Sequence, residues 1–314
     1  MSSNKTYYRV LESTGSWYKL LLPDNSIVMA RVPGKHRLKE KKETNPVSVG
    51  DWVTADLVED GTYIIQETRE RTNAVVRTAT HGKRGNHIIC CNVDVGCIVQ
   101  SLKDPEFRTG LIDRFMIATA LYESSKVCVI INKMDLAVEE DFEELENLKN
   151  LYESLQADVL FVSIFEEESM EELRNYIKDK TVSFTGPSGV GKTSLLNALD
   201  SSINHKVGEI SEWSNKGKHT TTFARLVPVT SGGFIIDTPG IREFGMAEIK
   251  LNELDLLFTD FEGFRENCKF YNCTHIHEPG CAVTDAVESG DIAESRYKSY
   301  ISMFYDIESK KKKY

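Results

Sequence analysis

The segment Gly186-Pro-Ser-Gly-Val-Gly-Lys-Thr193 constrains the fold of this chain more than any other feature. It matches the pattern G-x-x-x-x-G-K-[ST], and it stands between an apolar strand pattern at 181–185 and a helical pattern at 194–199. The glycines let the backbone curl so that successive N–H groups point at phosphate oxygens, and the helix start adds the positive end of its dipole. The segment therefore predicts a nucleotide phosphate site within an α/β domain.

This phosphate loop supplies nine candidate nucleotide contacts: Gly186, Pro187, Ser188, Gly189, Val190, Gly191, Lys192, Thr193 and Ser194. Lys192 is expected to span the β- and γ-phosphates and to assist catalysis, and the Thr193 hydroxyl to bind magnesium. Asp237-Thr-Pro-Gly240 ends a later apolar strand pattern. We expect Asp237 to hold the same magnesium through its water shell, and the N–H of Gly240 to meet the γ-phosphate.

A second loop points to the base of the nucleotide. Asn132-Lys133-Met134-Asp135 directly follows the apolar strand pattern 127–131. The Asp135 carboxylate can accept hydrogen bonds from guanine N1–H and the exocyclic amine, a donor pair that adenine lacks. Asn132 is expected to contact the base and pin the loop, while the stem of Lys133 covers the purine face. Ser163, followed by Ile164, is our candidate for a further guanine contact.

The region from 71 to about 245 alternates strand and helix patterns, which predicts a mostly parallel sheet with helices. Most GTPases carry the phosphate loop first, then D-x-x-G, then N-K-x-D. Here N-K-x-D comes first, so the domain is predicted to be circularly permuted. Since nucleotide contacts come from loops at one end of a sheet, their chain order can change without changing the site.

Residues 1–70 show four or five short strand patterns separated by turn signals, including 17–22, 27–32, 49–58 and 63–66. This spacing suits a small β-barrel, and an oligonucleotide-binding (OB) barrel is one candidate. Strand spacing alone leaves other small barrels open.

The tail from 249 to 314 carries Cys268, Cys273, His275 and Cys281, followed by two helical patterns. Three thiolates and an imidazole suit a closed tetrahedral zinc site, which would supply folding energy that a small core lacks. His277 is an alternative ligand. The other cysteines, Cys90, Cys91, Cys97 and Cys128, lie in apolar strand patterns and are interpreted as core residues.

The permuted motif order, the segment Lys216-Gly-Lys-His-Thr-Thr-Thr222, the N-terminal barrel and the Cys/His tail together resemble the RsgA (YjeQ) family of ribosome small-subunit-dependent GTPases. The resemblance covers essentially the whole chain. It implies three domains: an RNA-binding OB barrel (1–70), a permuted GTPase domain (71–248) and a mostly helical zinc domain (249–314). It also implies hydrolysis of GTP to GDP late in small (30S) subunit maturation, and it selects His275 rather than His277.

Catalysis needs a residue that orients the attacking water, and the position after D-x-x-G, often glutamine, is Ile241 here. His219 is the best candidate in the sequence, and the family resemblance points to the same residue; a solvated loop position or an RNA contact is the alternative. Thr221 is our first choice for closing on magnesium and the γ-phosphate, with Thr220 and Thr222 as rivals. Without a fixed glutamine, hydrolysis is expected to be slow until a partner orders this segment.

The net charge of −10 argues at first against an RNA partner, but residues 137–179 alone carry −11. The remaining chain is near neutral, with basic stretches at 35–42 and 71–85. The charge distribution is therefore compatible with an RNA partner. The resemblance implies GTP or GDP, the small ribosomal subunit and its rRNA as partners, and we expect a cytoplasmic monomer with no DNA or membrane partner. An RNA-binding placeholder whose nucleotide only tunes affinity, and a GTPase of the large subunit or another RNA, remain as alternatives.

Overall fold

The computed structural model describes residues 5–33, 46–77, 87–120, 125–200, 224–237 and 249–311. Five predicted site positions lie outside these ranges: His219, Thr220, Thr221, Thr222 and Gly240. Internal contacts divide the chain into two units. The first holds Met1–Cys97, Glu166–Thr185 and Lys192–Arg242, and the second holds Ile98–Phe165, Gly186–Gly191 and Glu243–Tyr314.

Five strands of the first unit form a closed barrel. They are β1 (Tyr8–Ser13), β2 (Trp17–Leu21), β3 (Ile27–Arg31), β4 (Trp52–Leu57) and β5 (Tyr63–Thr68). The strand order is β1-β2-β3-β5-β4, and pairing of β1 with β4 closes the barrel. All pairs are antiparallel except β3 with β5. The predicted five-stranded barrel is confirmed, and β1 is the strand that the sequence pattern did not locate.

The β2–β3 hairpin shows how the sequence specifies this barrel. Its turn places Asn25 at φ 65, a left-handed conformation that asparagine tolerates, and the N–H of Leu22 donates to the carbonyl of Ser26 at 2.9 Å. Along the strands, the buried residues Tyr18, Leu20 and Ala30 alternate with residues of the outer face. This period of two fixes which face of each strand lines the barrel core.

The described part of the first unit contains further strands and two helices beyond the barrel. They are β6 (Ala74–Arg77), β7 (His87–Cys91), β11 (Thr181–Thr185), β12 (Arg225–Pro228), β13 (Phe234–Asp237), α3 (Glu167–Ile177) and α4 (Lys192–Leu199). Strands β11 and β13 are parallel, whereas β12 is antiparallel to β13 and also pairs with β1 of the barrel. The sequence pattern missed β12, which is short and owes its pairing to strands on both sides.

Strand β7 corrects one expectation. The region from 71 to about 245 is predicted to form a mostly parallel sheet, but β7 within it pairs antiparallel with β6 in a separate two-stranded sheet. Sequence alternation identifies a strand but not its partner, because pairing depends on which neighbour the fold brings alongside.

Arg9 connects the barrel to strands β11 and β13 of the same unit. Its side chain is 2% exposed, and Nη2 donates to Thr181 Oγ1 at 2.9 Å and to the carbonyl of Asn92 at 3.2 Å. The guanidinium also lies over the rings of Trp52 and Phe234. The start of β11 and the start of β13 are thus held by one barrel residue.

Strand β8 (Val95–Ser101) runs from the first unit into the second, where it neighbours β9 (Lys126–Asn132). Strand β10 (Asp158–Val162) pairs parallel with β9, with Asp158 opposite Cys128 and Val162 opposite Asn132. Helices α1 (Thr109–Ala120) and α2 (Asp141–Ser154) bury apolar residues against these strands. The predicted alternation of strands and helices is confirmed here.

The C-terminal part of the second unit is mostly helical, as expected. Four short 3₁₀ turns (Leu251–Glu253, Asp255–Leu257, Thr259–Phe261 and Arg265–Asn267) precede α5 (Ala282–Ser289) and α6 (Glu294–Lys311). Phe258, Phe261 and Tyr300 pack in its core with ring centroids 5.0–5.3 Å apart. In the described part of the chain, no helix combines the length and hydropathy that a membrane span requires.

Candidate functional site

Asn132 joins the two predicted nucleotide loops. It ends β9, is buried, and donates from Nδ2 to the carbonyl of Val190 in the phosphate loop at 2.8 Å. Its Oδ1 is buried and has no protein partner among the described residues. A buried acceptor without a partner is costly, so a donor from a bound group would stabilise this arrangement. The segment from Asn132 to Asp135 is therefore joined directly to the predicted phosphate loop.

The Asp135 carboxylate is held in place by Ser163. The hydroxyl of Ser163, which follows β10 and is fully buried, donates to Asp135 Oδ1 at 2.6 Å and accepts from the N–H of Phe165 at 3.2 Å. The Asp135 side chain is exposed at the loop surface. Lys133 adopts φ 64, and its ammonium contacts the carbonyl of Asp104. The carboxylate that would read guanine is thus fixed in orientation yet open to a ligand.

The phosphate loop requires glycine at both ends. A Cβ at Gly186 would lie 2.1 Å from the carbonyl oxygen of Val99, and one at Gly191 would lie 2.4 Å from Asn132 Nδ2. Both residues have positive φ, 147° and 91°, which other residues rarely adopt. Helix α4 begins at Lys192, two residues earlier than the helical pattern indicated, so Lys192 and Thr193 form its first turn. Along the chain, Gly191 is thus followed directly by a helix N-terminus, a position that favours anions.

Asp237 lies at the expected edge of the sheet. Within the first unit, β11 and β13 run parallel with Ser183 opposite Ile236, so Asp237 ends its strand level with the end of β11. Because β11 leads directly into the phosphate loop, the backbone of Asp237 stands at the carboxyl edge where nucleotides bind in such sheets.

The four predicted zinc ligands lie together in the second unit. The ligand atoms of Cys268, Cys273, His275 and Cys281 all lie within 4.8 Å of one another. His275 Nδ1 is 3.3 Å from Cys281 Sγ and 3.6 Å from Cys268 Sγ. Burial opposes ionisation of Cys281, but hydrogen bonds from Thr284 and His275 lower the pKa of this thiol to about 7. Three sulfurs and one imidazole at these separations can hold a metal ion in tetrahedral coordination.

Neighbouring side chains position this metal-binding loop. The Tyr297 and Tyr300 hydroxyls of α6 donate to the carbonyls of His275 and Thr274. Glu278 accepts from the Thr274 hydroxyl and from nearby backbone N–H groups. Burial opposes its charge, but these bonds lower the pKa of Glu278 to about 2. The alternative ligand His277 is exposed and instead contacts the hydroxyl of Tyr305.

The supporting residues Glu278, Tyr297 and Tyr300 were not identified from the sequence. Glu278 lies between His275 and Cys281 in the sequence and could have been noticed there as a carboxylate. Tyr297 and Tyr300 lie on α6, and no nearby sequence pattern indicates that they contact the metal-binding loop. The interpretation of the other cysteines is confirmed, since Cys90, Cys91, Cys97 and Cys128 are all fully buried. Burial raises the pKa of Cys90 to about 12 and raises that of Cys91 further, so these thiols stay protonated.

Comparison with known proteins decides the family. Residues 68–247 match the family model described as RsgA GTPase. The chain belongs to the RsgA GTPase family. It is 39% identical over 302 residues to the small ribosomal subunit biogenesis GTPase RsgA of Bacteroides fragilis, covering 96% of this chain and 97% of that protein. The RsgA protein of Phocaeicola vulgatus is 40% identical with the same coverage.

Solved structures agree with this membership. The crystal structure of YjeQ from Thermotoga maritima has a TM-score of 0.75 and 32% identity, covering 96% of this chain and 98% of that one. YloQ, described as a circularly permuted GTPase, has a TM-score of 0.73 and 28% identity, covering 98% and 96%. This RsgA-family chain is thus a GTP hydrolase among the GTPases of ribosome biogenesis, with a permuted order of motifs.

Proposed function

We propose that this RsgA-family chain binds the small ribosomal subunit in its GTP form, hydrolyses GTP to GDP late in subunit maturation, and then leaves. Hydrolysis is stimulated by the subunit. The printed names of the relatives support the subunit as partner. The observation that carries the GTP site is the 2.8 Å hydrogen bond between Asn132 and Val190, because it holds the guanine and phosphate loops as one structure.

In this proposal, guanine is read by Asp135, with Asn132, Lys133, Met134 and Ser163 around it. The Ser163–Asp135 hydrogen bond supports this assignment, since it orients the carboxylate without covering it. The phosphates contact Gly240 and the residues of the phosphate loop and helix start. These residues are Gly186, Pro187, Ser188, Gly189, Val190, Gly191, Lys192, Thr193 and Ser194.

Magnesium is proposed to bind Thr193, Thr221 and Asp237, with Lys192 neutralising the phosphate charge. His219 orients the attacking water. Since His219 and Thr221 lie outside the described residues, the support for these roles is the sequence pattern and the family resemblance.

The Cys268–Cys273–His275–Cys281 cluster is proposed to hold one structural zinc ion. The separations support this, and sulfur-rich donor sets select zinc over magnesium or calcium. All four coordination positions are filled by protein, which leaves none for a reacting water. Bound zinc would stabilise the C-terminal helices rather than take part in hydrolysis.

We propose three functional domains, an RNA-binding barrel (1–70), the GTPase domain (71–248) and the zinc domain (249–314), in a cytoplasmic monomer. The match of the family model to residues 68–247 supports the middle boundaries. The barrel topology supports an rRNA contact, because five-stranded barrels of this type commonly bind oligonucleotides.

The His219→Ala variant tests this function against the placeholder alternative. We expect normal GTP binding, hydrolysis at least about 100-fold slower with small subunits, and a protein that stays on the subunit. His277→Ala, which changes an exposed histidine outside the GTPase domain, is the matched control and should behave as the unmodified chain. If His219→Ala leaves mature subunits normally although it no longer hydrolyses GTP, the RNA-binding placeholder would be favoured.

A further inference from the structure

Two segments beside the predicted guanine contacts expose apolar side chains to solvent: residues 164–165 after β10, and residues 136–142, which lead into the first turn of α2. Phe165 is 77% exposed and Phe142 is 55% exposed, although aromatic side chains are usually well buried. The two segments meet where the Ser163 hydroxyl donates to Asp135, next to Ile164 in one and Leu136 in the other. We define the guanine-loop surface by its exposed apolar members: Leu136, Val138, Phe142, Ile164 and Phe165. Such a cluster on a soluble protein indicates an interaction site.

Acidic residues neighbour Val138 and Phe142 along the chain. Glu139, Glu140, Glu143 and Glu144 are exposed, and within the described part of the chain none of them forms an ion pair. They belong to the 137–179 segment that carries −11. Phosphate groups of RNA would be repelled here, whereas lysine and arginine side chains would be attracted. The charge therefore selects a basic protein over rRNA as the occupant.

We propose that the guanine-loop surface binds a lysine- and arginine-rich protein segment of the small ribosomal subunit, with apolar side chains of that segment packing on Phe142 and Phe165. The inference rests on the proposed function, because it takes the subunit as the partner. Aromatic anchors surrounded by complementary charge are typical of such interfaces. The partner would contact the loop whose backbone N–H, at Phe165, supports Ser163 and through it Asp135.

A charge reversal separates the two kinds of occupant. Glu143→Lys should weaken binding to purified small subunits about fivefold at low salt, because it repels a basic segment. If rRNA covered this surface, the same change would strengthen binding. Glu288→Lys makes an identical charge change at an exposed position of α5 and should leave affinity within twofold of the unmodified chain. Strengthened or unchanged binding of Glu143→Lys would overturn the proposal.

Photo-crosslinking identifies the occupant directly. Phe165→p-benzoylphenylalanine, mixed with small subunits and a non-hydrolysable GTP analogue, should crosslink to a basic segment of a ribosomal protein. Leu256→p-benzoylphenylalanine, at an exposed site outside the surface, should not crosslink to that segment. If position 165 crosslinks to rRNA, or if the variant sediments with subunits but does not crosslink, this inference is overturned and the proposed function is not. Failure of the unmodified chain to sediment with subunits overturns the proposed function together with it.

Discussion

Arg296 should be among the most sensitive positions for stability, because it is the cation of a buried charge network. Its side chain is 2% exposed, and Nη1 donates to Asp113 Oδ1 at 2.8 Å. Nε and Nη2 donate to the two carboxylate oxygens of Asp260 at 3.0 and 2.9 Å. Asp113, fully buried on α1, also accepts from the hydroxyls of Tyr152 and Ser299. The network thus joins α6 to α1.

Arg296→Met keeps most of the side-chain volume but leaves Asp113 buried with only neutral donors. Removing one partner of a buried ion pair costs about 3–5 kcal/mol, since the remaining charge stays desolvated. Amide hydrogen exchange of the α6 peptides, with zinc present, measures this cost as a lower opening free energy. The exposed pair of Arg114 and Asp306 joins the same two helices, so Arg114→Met is the matched control, with an expected cost below about 1 kcal/mol.

The cost should also depend on pH in a defined direction. Burial raises the pKa of Asp113 in the folded chain, while Arg296 opposes this shift. Without Arg296, the pKa of Asp113 in the folded chain rises further above its value in the unfolded chain. Protonation of Asp113 on acidification then removes the buried charge. The difference in opening free energy between Arg296→Met and the unmodified chain should therefore become smaller from pH 8 to pH 5. A loss no larger than that of Arg114→Met, or one that grows on acidification, would refute the reasoning.

Three further variants test the sites. Asp135→Asn should lower GTP affinity roughly 100-fold and allow xanthosine triphosphate to bind, because an amide N–H can donate to the 2-oxo group of xanthine. Titration of the variant with both nucleotides measures the two affinities, and an unchanged GTP affinity would contradict the assignment of Asp135. Gly191→Ala should weaken GTP binding at least about tenfold, because the added Cβ would displace Asn132. Gly263 has a similar φ of 84° but no atom near the position of an added Cβ, so Gly263→Ala should leave GTP binding unchanged, and equal effects of the two changes would exclude a clash with Asn132 as the cause. Cys281→Ser should reduce bound zinc well below one per chain by elemental analysis and lower the melting temperature; full zinc occupancy would remove this residue from the site.

The nucleotide loops could be predicted because each lies in one short stretch of sequence. The phosphate loop and the segment from Asn132 to Asp135 depend on residue types at fixed spacing next to an apolar strand, and β9 was predicted within one residue at each end. The four cysteine and histidine positions of the metal cluster fall within a similarly short span. Local spacing therefore carried most of the information about the candidate site.

Features that depend on distant partners could not be predicted. Strand β12 has four residues and is defined by pairing with β13 and β1, so its own pattern is weak. The bond of Arg296 to Asp113 joins residues 183 positions apart, and that of Arg9 to Thr181 joins residues 172 apart. A single charged residue in a sequence does not reveal whether it is solvated or paired in the core.

The most direct test of the proposed function is GTP hydrolysis by the unmodified chain alone, with purified small ribosomal subunits, and with purified large subunits. The proposal predicts slow hydrolysis of GTP alone, at least about tenfold stimulation by small subunits, and none by large subunits. ATP should not be hydrolysed above background under any condition. Equal rates with and without small subunits, or stimulation by large subunits instead, would contradict the proposal.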